Sequence, residues 1–114
     1  MNPAIPHHSI AIPTNKGLIT ISLQQIVRIQ GLSNYSRIYF NNGQHPLTVA
    51  RVLKRFEEDL PAGSFIRSHR AHLINRAFVQ EIDIKNSYIF LKNGETIAIS
   101  RRKKTKQLTL LNIV

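Results

Sequence analysis

The segment from Phe65 to Val79, FIRSHRAHLINRAFV, combines cations with interspersed apolar residues. Its basic residues are Arg67, His69, Arg70, His72 and Arg76. Its apolar residues are Phe65, Ile66, Leu73, Ile74, Phe78 and Val79. A solvated basic run needs no such anchors, and a purely structural element would not carry so many cations. The pattern therefore indicates cations held on a partly buried scaffold, where they could meet phosphates or base edges. The alternative is a surface loop that is simply basic.

A second basic cluster, SRRKKTK, runs from Ser100 to Lys106. Ser100 is a suitable N-cap for a helix. Four cations would then crowd the first turn, where the helix dipole disfavours each positive charge by ~0.3–1 kcal/mol. A phosphate would offset this cost, because the free N–H groups of a helix start and the cations both favour an anion. The cluster indicates an anionic partner; the alternative is a frayed basic tail.

The third candidate is the strand entry GLSNYSRIYF, from Gly31 to Phe40. Tyr35, Arg37 and Tyr39 are predicted to share one strand face and Ser36, Ile38 and Phe40 the other. Ser36 comes at the start of this strand, where its hydroxyl could emerge at the sheet edge and bond a base or a phosphate. The alternative is that Asn34 and Ser36 are turn residues.

Composition narrows the class of partner. The 114 residues contain 16 Lys and Arg against 6 Asp and Glu, a net charge of +10, and no cysteine. This length predicts one domain with a single buried core, and the lack of cysteine excludes disulfides and thiolate metal sites. No apolar run approaches the ~18 residues of a membrane span, and no secretory signal is visible, so a cytoplasmic location is expected. The charge favours a polyanion such as DNA, RNA or an acidic membrane surface.

Alternation of apolar and polar residues predicts strands from Gly17 onwards. Residues 1–16 hold three of the five prolines and no clear period, so they are expected to form an N-terminal arm or linker. The first strand candidates are Ile19 to Leu23 and Ile26 to Gln30. Two Asn-Gly pairs separate later alternating runs, which predicts hairpins with tight turns whose central residues both take positive φ: Asn42-Gly43 and Asn93-Gly94.

Helical spacing predicts one short helix between the strands, ended by Pro61 and Gly63. Its apolar positions are Val49, Val52, Leu53, Phe56 and Leu60. A second helix is predicted from Ser100. Strands dominate, and the repeated strand-helix alternation of a parallel sheet is missing, so the fold class is predicted to be mainly β.

The order and spacing of five pieces resemble the LytTR DNA-binding domain of bacterial response regulators. The pieces are ISLQQIVRIQ, SNYSRIYF, RFEEDLP, FIRSHRAHLIN and KNGETIAISRRKK. The resemblance implies about ten short strands in antiparallel sheets, with two or three short helices, in a domain covering residues 17–114. It also implies direct-repeat DNA sites, bound by loops that enter successive major grooves, with no recognition helix. We expect no cofactor, and a homodimer on DNA is one assembly to be tested. The receiver domain usual in such regulators is not among these residues.

The resemblance implies base contacts from three loops, and the matching positions are Ser36, Arg70 and Arg101. Arginine can grip guanine O6 and N7 with two hydrogen bonds, which supports Arg70 and Arg101 as base-reading residues. Phosphate contacts are expected from Asn34, Arg37, Arg67, His69, Arg102, Lys103 and Lys104. Asn75, together with His69, is expected to support the backbone of the reading loop.

Other functions find weaker support in the residues. His69 and His72 could share one face of a helical turn, but a metal site would need a further ligand such as His45 or Glu81, and the nearby arginines would repel a divalent cation. No P-loop or nucleophile elbow occurs, so no enzyme activity is expected. RNA or single-stranded nucleic acid is the alternative partner, because three tyrosines could act as stacking platforms: Tyr35, Tyr39 and Tyr88. No helix combines the basic and aromatic faces that suit a membrane surface.

Overall fold

The computed structural model describes residues 9–100, and it is mainly β, as predicted. The strands are β1 Ser9–Thr14, β2 Gly17–Ser22, β3 Ile26–Leu32, β4 Tyr35–Phe40, β5 Leu47–Val49, β6 Phe65–His69, β7 His72–Asn75, β8 Val79–Asp83, β9 Tyr88–Leu91 and β10 Thr96–Ala98. The helical elements are α1 Leu53–Asp59 and the 3-10 turns Leu23–Gln25 and Arg76–Phe78. Within residues 9–100 no helix has the length and apolar character needed to span a bilayer.

The strands form three antiparallel sheets. One is the β1-β2 hairpin, one has three strands in the order β10-β9-β8, and the central one has five strands in the order β5-β4-β3-β7-β6. The predicted alternation in β4 is confirmed, because Ser36 and Ile38 are fully buried and Tyr35 is exposed. Such alternation arises because successive side chains of a strand point to opposite faces of the sheet.

The central sheet has an apolar core on each face. Leu73 and Ile74 are neighbours in β7 and are both at most 1% exposed, yet they belong to different cores. Leu73 packs with the β1-β2 hairpin and α1, in a core that includes Ile12, Ile29, Ile38 and Phe56. Ile74 packs with the three-stranded sheet, in a core that includes Val27, Ile89, Leu91, Ile97 and Ile99. The sheet is therefore the middle layer, and both of its faces are covered.

Part of the predicted N-terminal arm is a strand. Ser9–Thr14 pairs along its whole length with Gly17–Ser22, and Ile10 and Ile12 enter the first core. The arm prediction missed this strand because Pro13 and the short run before it obscure a period of two. Pro13 is tolerated here because β1 has a partner on one side only.

The helix is shorter than predicted, and its start is displaced. α1 begins at Leu53, whereas Val49 belongs to β5 and pairs with Ser36. Its predicted end is confirmed: Leu60, the residue before Pro61, has an extended backbone with φ −78° and ψ 149°, as steric clash with a following proline favours.

Both Asn-Gly hairpins form, but their turns differ from the prediction. Glycine alone takes positive φ, +82° at Gly43 and +92° at Gly94, while neither preceding asparagine does. Each asparagine instead accepts a hydrogen bond on Oδ1 from the backbone two residues on, Asn42 from Gln44 N at 3.0 Å and Asn93 from Glu95 N at 2.9 Å. These side-chain bonds fold the longer connections that follow β4 and β9.

Candidate nucleic-acid interface

The basic segment identified in the sequence forms the β6-β7 hairpin. Ile66, Leu73 and Ile74 are each at most 1% exposed and anchor the two strands in the cores. His69 pairs with His72 across the end of the hairpin, and a bulge lies between Arg67 and His69. Arg70 and Ala71 form the turn between these strands. We call His69 to His72 the hairpin tip; it projects from a buried scaffold, as the interspersed apolar residues predict.

Arg67, in β6, stabilises the backbone of the tip. Its guanidinium donates to His69 O at 2.9 Å through Nε and to Arg70 O at 2.6 Å through Nη2. Its Nη1 also donates to Glu57 Oε1 at 2.6 Å, which ties the hairpin to α1. The Arg67 side chain is only 16% exposed. A guanidinium committed to three protein oxygens is a structural support, so this geometry argues against the phosphate contact expected at Arg67.

His69 contributes a hydrogen bond within the tip, whereas Arg70 is exposed. His69 Nδ1 accepts a hydrogen bond from Ala71 N at 3.1 Å, which closes the turn. The Arg70 side chain points into solvent, and within residues 9–100 no carboxylate pairs with it. The tip thus presents one arginine whose guanidinium is free to bind, on a backbone that two neighbouring side chains hold in place.

A groove beside the tip gathers further polar groups. It is lined by Gly31, Ser33, Val52, Leu53, Lys54, Arg67, Arg70 and Ala71. Gly31 N donates to Ala71 O at 2.8 Å, which joins the β3-β4 turn to the tip. Asn34 is exposed in that turn, next to Ser33. Of the residues that the structure describes, two exposed cations line the groove, Lys54 and Arg70, and no acidic residue does.

Lys54 was not among the residues selected from the sequence. The signal was present, because the helical spacing places Lys54 on the outward face of α1. The sequence alone does not show where α1 lies relative to the tip, because that position depends on contacts between distant segments.

The second basic cluster begins beside the same hairpin. Ser100 N donates to Ser68 O of β6 at 2.7 Å, so the chain leaves the three-stranded sheet next to the tip. The basic segment (residues 101–106) follows directly in the sequence. The helix predicted from Ser100 and four expected contact residues lie outside the described residues: Arg101, Arg102, Lys103 and Lys104.

Ser36 is placed differently from expectation, whereas Arg37 lies on the predicted face of β4. Ser36 is fully buried, and its Oγ donates to Arg51 O at 2.6 Å. The alternation of β4 turns its side chain into the core together with Ile38, so in this structure Ser36 is inaccessible to a base and instead holds the chain between β5 and α1. Arg37 is half-buried on the opposite face and donates from Nε to Thr48 Oγ1 at 3.2 Å.

Asn75 is a structural residue at the base of the hairpin. Its Nδ2 donates to Leu23 O at 3.1 Å and to Ile26 O at 2.8 Å, and its Oδ1 accepts from Ala77 N at 3.0 Å. It is 6% exposed. Asn75 is the last residue of β7, whereas His72 of the tip is its first residue. The three bonds therefore fix the 3-10 turns at the base of the hairpin and lie away from the tip.

A half-buried ionic cluster lies behind the tip. Arg28 binds Glu95 through two contacts, Nε to Oε1 at 3.1 Å and Nη2 to Oε2 at 3.0 Å, and its guanidinium carbon is 3.7 Å from the centre of the Tyr39 ring. Arg28 Nη1 is 3.3 Å from His72 Nε2. Burial, and then the charge of Arg28, lower the pKa of His72 to about 4, so this imidazole is neutral at neutral pH and can accept that bond. The hydrogen bond from Arg28 lowers the pKa of Glu95.

The alternative sites do not assemble in the described structure. His69 and His72 are engaged with Ala71 and Arg28, and within residues 9–100 no group of three or more His, Asp and Glu side chains is arranged to hold a metal ion. Tyr39 is covered by Arg28 and donates its hydroxyl to Gln30 Oε1 at 2.9 Å. The exposed tyrosines, Tyr35 and Tyr88, lie on different sheets and so form no common stacking platform.

Exposed cations clustered on one face, here Arg70 and Lys54, are the electrostatic footprint typical of nucleic-acid-binding domains. The model of the LytTr DNA-binding domain family matches residues 16–112, and the chain belongs to this family. The resemblance noted in the sequence is therefore confirmed. The family is one of DNA-binding domains and not of enzymes.

Two curated relatives and one solved structure are similar to the chain. The sensory transduction protein LytT of Bacillus subtilis (strain 168) is 26% identical over 109 residues, and that of Bacillus anthracis is 25% identical. In both cases the match covers 93% of this chain and 44% of the relative, so the chain spans less than half the length of these relatives. A LytTr DNA-binding domain from Bacillus cereus has the same fold, with a TM-score of 0.75 at 22% identity, over 91% of this chain and 96% of that one.

Proposed function

We propose that this domain binds duplex DNA sequence-specifically by placing the hairpin tip in the major groove, as the DNA-binding part of a cytoplasmic bacterial transcription regulator. The observation that carries the proposal is the division of roles within one hairpin. The side chains of Arg67 and His69 form hydrogen bonds with the backbone of the tip, and the side chain of Arg70 is exposed on the tip. A fixed backbone limits the entropy lost when arginine forms two hydrogen bonds with a guanine edge.

The remaining contacts are proposed from position and charge. Arg101 is the second base-reading residue, because Ser100 is fixed to β6 beside the tip. Phosphates are bound by Asn34, Arg37, Lys54, Arg102, Lys103 and Lys104. Two copies of the domain, one on each half of a direct repeat, would double the number of base contacts.

The first experiment measures affinity for duplex DNA over a salt series. If the domain covers about five phosphates, log affinity should fall against log salt with a slope of roughly −4 to −5. Single-stranded RNA at matched salt is the competitor that tests the alternative partner. A flat slope, or stronger competition by RNA than by unlabelled duplex, would overturn the proposal.

The second experiment uses two arginines of the same hairpin. Arg70 and Arg76 are both exposed, and they lie at opposite ends of β7. Arg70→Ala should cost about 1–3 kcal/mol on cognate DNA and relax the preference at one base pair. Arg76→Ala removes the same charge away from the tip and should change cognate and scrambled affinity little. Equal losses of cognate affinity for the two variants would show that Arg70 contributes only general electrostatic attraction.

A further inference from the structure

The β3-β4 turn has a serine at a position where a tight turn favours glycine. Leu32 pairs with Tyr35, so the turn consists of Ser33 and Asn34 alone. Ser33 has φ +61°, whereas Asn34 does not take positive φ. Positive φ at the first central residue alone is the pattern of a type II′ turn, where glycine is usual because a side chain strains this conformation. The turn itself gains nothing from the Ser33 side chain, and strain of this kind tends to persist at functional sites.

The Ser33 side chain is exposed and lines the groove beside the tip. The exposed cations of this groove are Lys54 and Arg70, and within residues 9–100 no acidic side chain lines it. An anion in the groove would therefore meet two positive charges and a hydroxyl donor. A DNA phosphate fits this combination, because lysine, arginine and serine side chains all bind phosphate oxygens.

The β3-β4 turn is joined both to the tip and to α1. Gly31 N donates to Ala71 O at 2.8 Å. A Cβ atom at Gly31 would lie 3.5 Å from two side-chain atoms of Leu53 and 3.8 Å from Ala71 Cα, so the backbone of β3 packs closely against both elements. Because Gly31 is two residues before Ser33, the turn is already in place when DNA binds, which reduces the entropy lost on binding.

We infer that Ser33 is a phosphate-contact residue of the DNA interface, whose strained backbone holds the hydroxyl in the groove, where it donates to a phosphate oxygen of the duplex. This inference rests on the proposed function. The strain lowers the stability of the free domain, whereas the hydroxyl raises the affinity for DNA. Stability and affinity therefore favour different residues at this position.

These opposite signs make the inference testable with Ser33→Gly. Glycine relieves the strain, so the melting temperature should rise by roughly 2–8 °C. It also removes the hydroxyl, so DNA affinity should fall about threefold to tenfold, which corresponds to one hydrogen bond. The loss should be equal on cognate and scrambled duplex, because a phosphate contact carries no sequence information. The slope of log affinity against log salt should not change, because no charge is removed.

Ser87→Gly is the matched control, because Ser87 has φ +62° and lies outside this groove, in the β8-β9 turn. Its carbonyl accepts a hydrogen bond from Ile99 N at 2.8 Å, and glycine retains that carbonyl. Ser87→Gly should gain similar stability and keep wild-type affinity. Ser33→Ala removes the hydroxyl but keeps the restricted backbone, so it should lose as much affinity as Ser33→Gly without the gain in stability.

Affinities are measured at a temperature where every variant is folded. Binding of Ser33→Ala that is as tight as that of the wild type would refute the phosphate contact, and a loss seen only in Ser33→Gly would assign the effect to flexibility of the turn. A loss confined to cognate DNA would replace the phosphate contact by a base contact, and equal weakening by Ser87→Gly would also overturn the inference. A wild-type domain without affinity for any duplex would overturn the proposed function as well, whereas wild-type affinity in both Ser33 variants leaves that function intact.

Discussion

Replacement of Asn75 by alanine removes three hydrogen bonds from the base of the hairpin. Leu23 O retains a second donor, Ile26 N, but Ile26 O and Ala77 N lose the bonds that the asparagine supplies. Ile26 is fully buried, whereas Ala77 is exposed and water can replace its lost bond. Leaving the one buried backbone group unsatisfied costs about 1–3 kcal/mol, so the free energy of unfolding should fall by that amount. For a domain of this size each kcal/mol lowers the melting temperature by about 4–8 °C, which predicts a decrease of roughly 4–24 °C.

The assay combines thermal melting with DNA titration at a temperature where the variant is still folded. Asn41→Ala is the control, because Asn41 also donates to this 3-10 turn, to Gln24 O at 3.2 Å, but from an exposed position. It should cost less than about 1 kcal/mol. Since the Asn75 bonds lie away from the tip, folded Asn75→Ala should bind DNA almost as tightly as the wild type. Lost affinity with an unchanged melting temperature would refute this reasoning and indicate direct contact with DNA.

Three further outcomes follow from the contacts around the tip. Arg67→Lys keeps the charge, but lysine cannot donate to the three oxygens that the planar guanidinium reaches. It should lower stability and cognate DNA affinity by about 1–2 kcal/mol and leave the slope of log affinity against log salt unchanged. A slope reduced by about one would indicate that Arg67 contacts a phosphate. Lys54→Ala should weaken cognate and scrambled DNA alike and reduce the slope by about one, and a loss confined to cognate DNA would contradict that role. The pKa of His72 is about 4 in the folded protein and 6.5 for the free side chain. Between these two pH values His72 binds a proton only in the unfolded state, so the free energy of unfolding should fall as the pH falls from 6.5 to 4. Because the ring is only half-buried, solvent screening limits this loss to roughly 1–2 kcal/mol. Urea unfolding between pH 6.5 and 5, compared with His72→Gln, measures it, and identical pH profiles would disprove it.

Local patterns predicted the parts of the structure that depend on neighbouring residues. The period of two from Tyr35 to Phe40 and the proline after Leu60 each determine geometry within a few residues, and both features are found. The cations and apolar anchors of the β6-β7 segment likewise indicated a partly buried scaffold, although not that this scaffold is a hairpin. The family resemblance supplied the order of the elements.

The parts that sequence reasoning missed depend on distant partners. Arg28 and Glu95 are separated by 67 positions, and nothing in either local sequence indicates the other. Arg67 looked like a free cation because its acceptors are created by a bulge and by the approach of α1. Ser36 was assigned to the sheet edge, but the pairing of β4 with β5 and the carbonyl of Arg51 place it inside.

The hydrogen bond between Ser100 and Ser68 has a consequence for solubility. β6 is an outer strand of the central sheet, and an outer strand with free N–H and C=O groups can recruit another chain and start aggregation. Ser100 occupies one of these groups, and the bulge at Arg67 and His69 distorts the strand beside it. The opposite outer strand, β5, is three residues long and directly follows Pro46, which cannot donate. Both borders of the sheet are therefore poor templates for addition of a strand, which disfavours polymerisation of the domain through its central sheet even at high concentration.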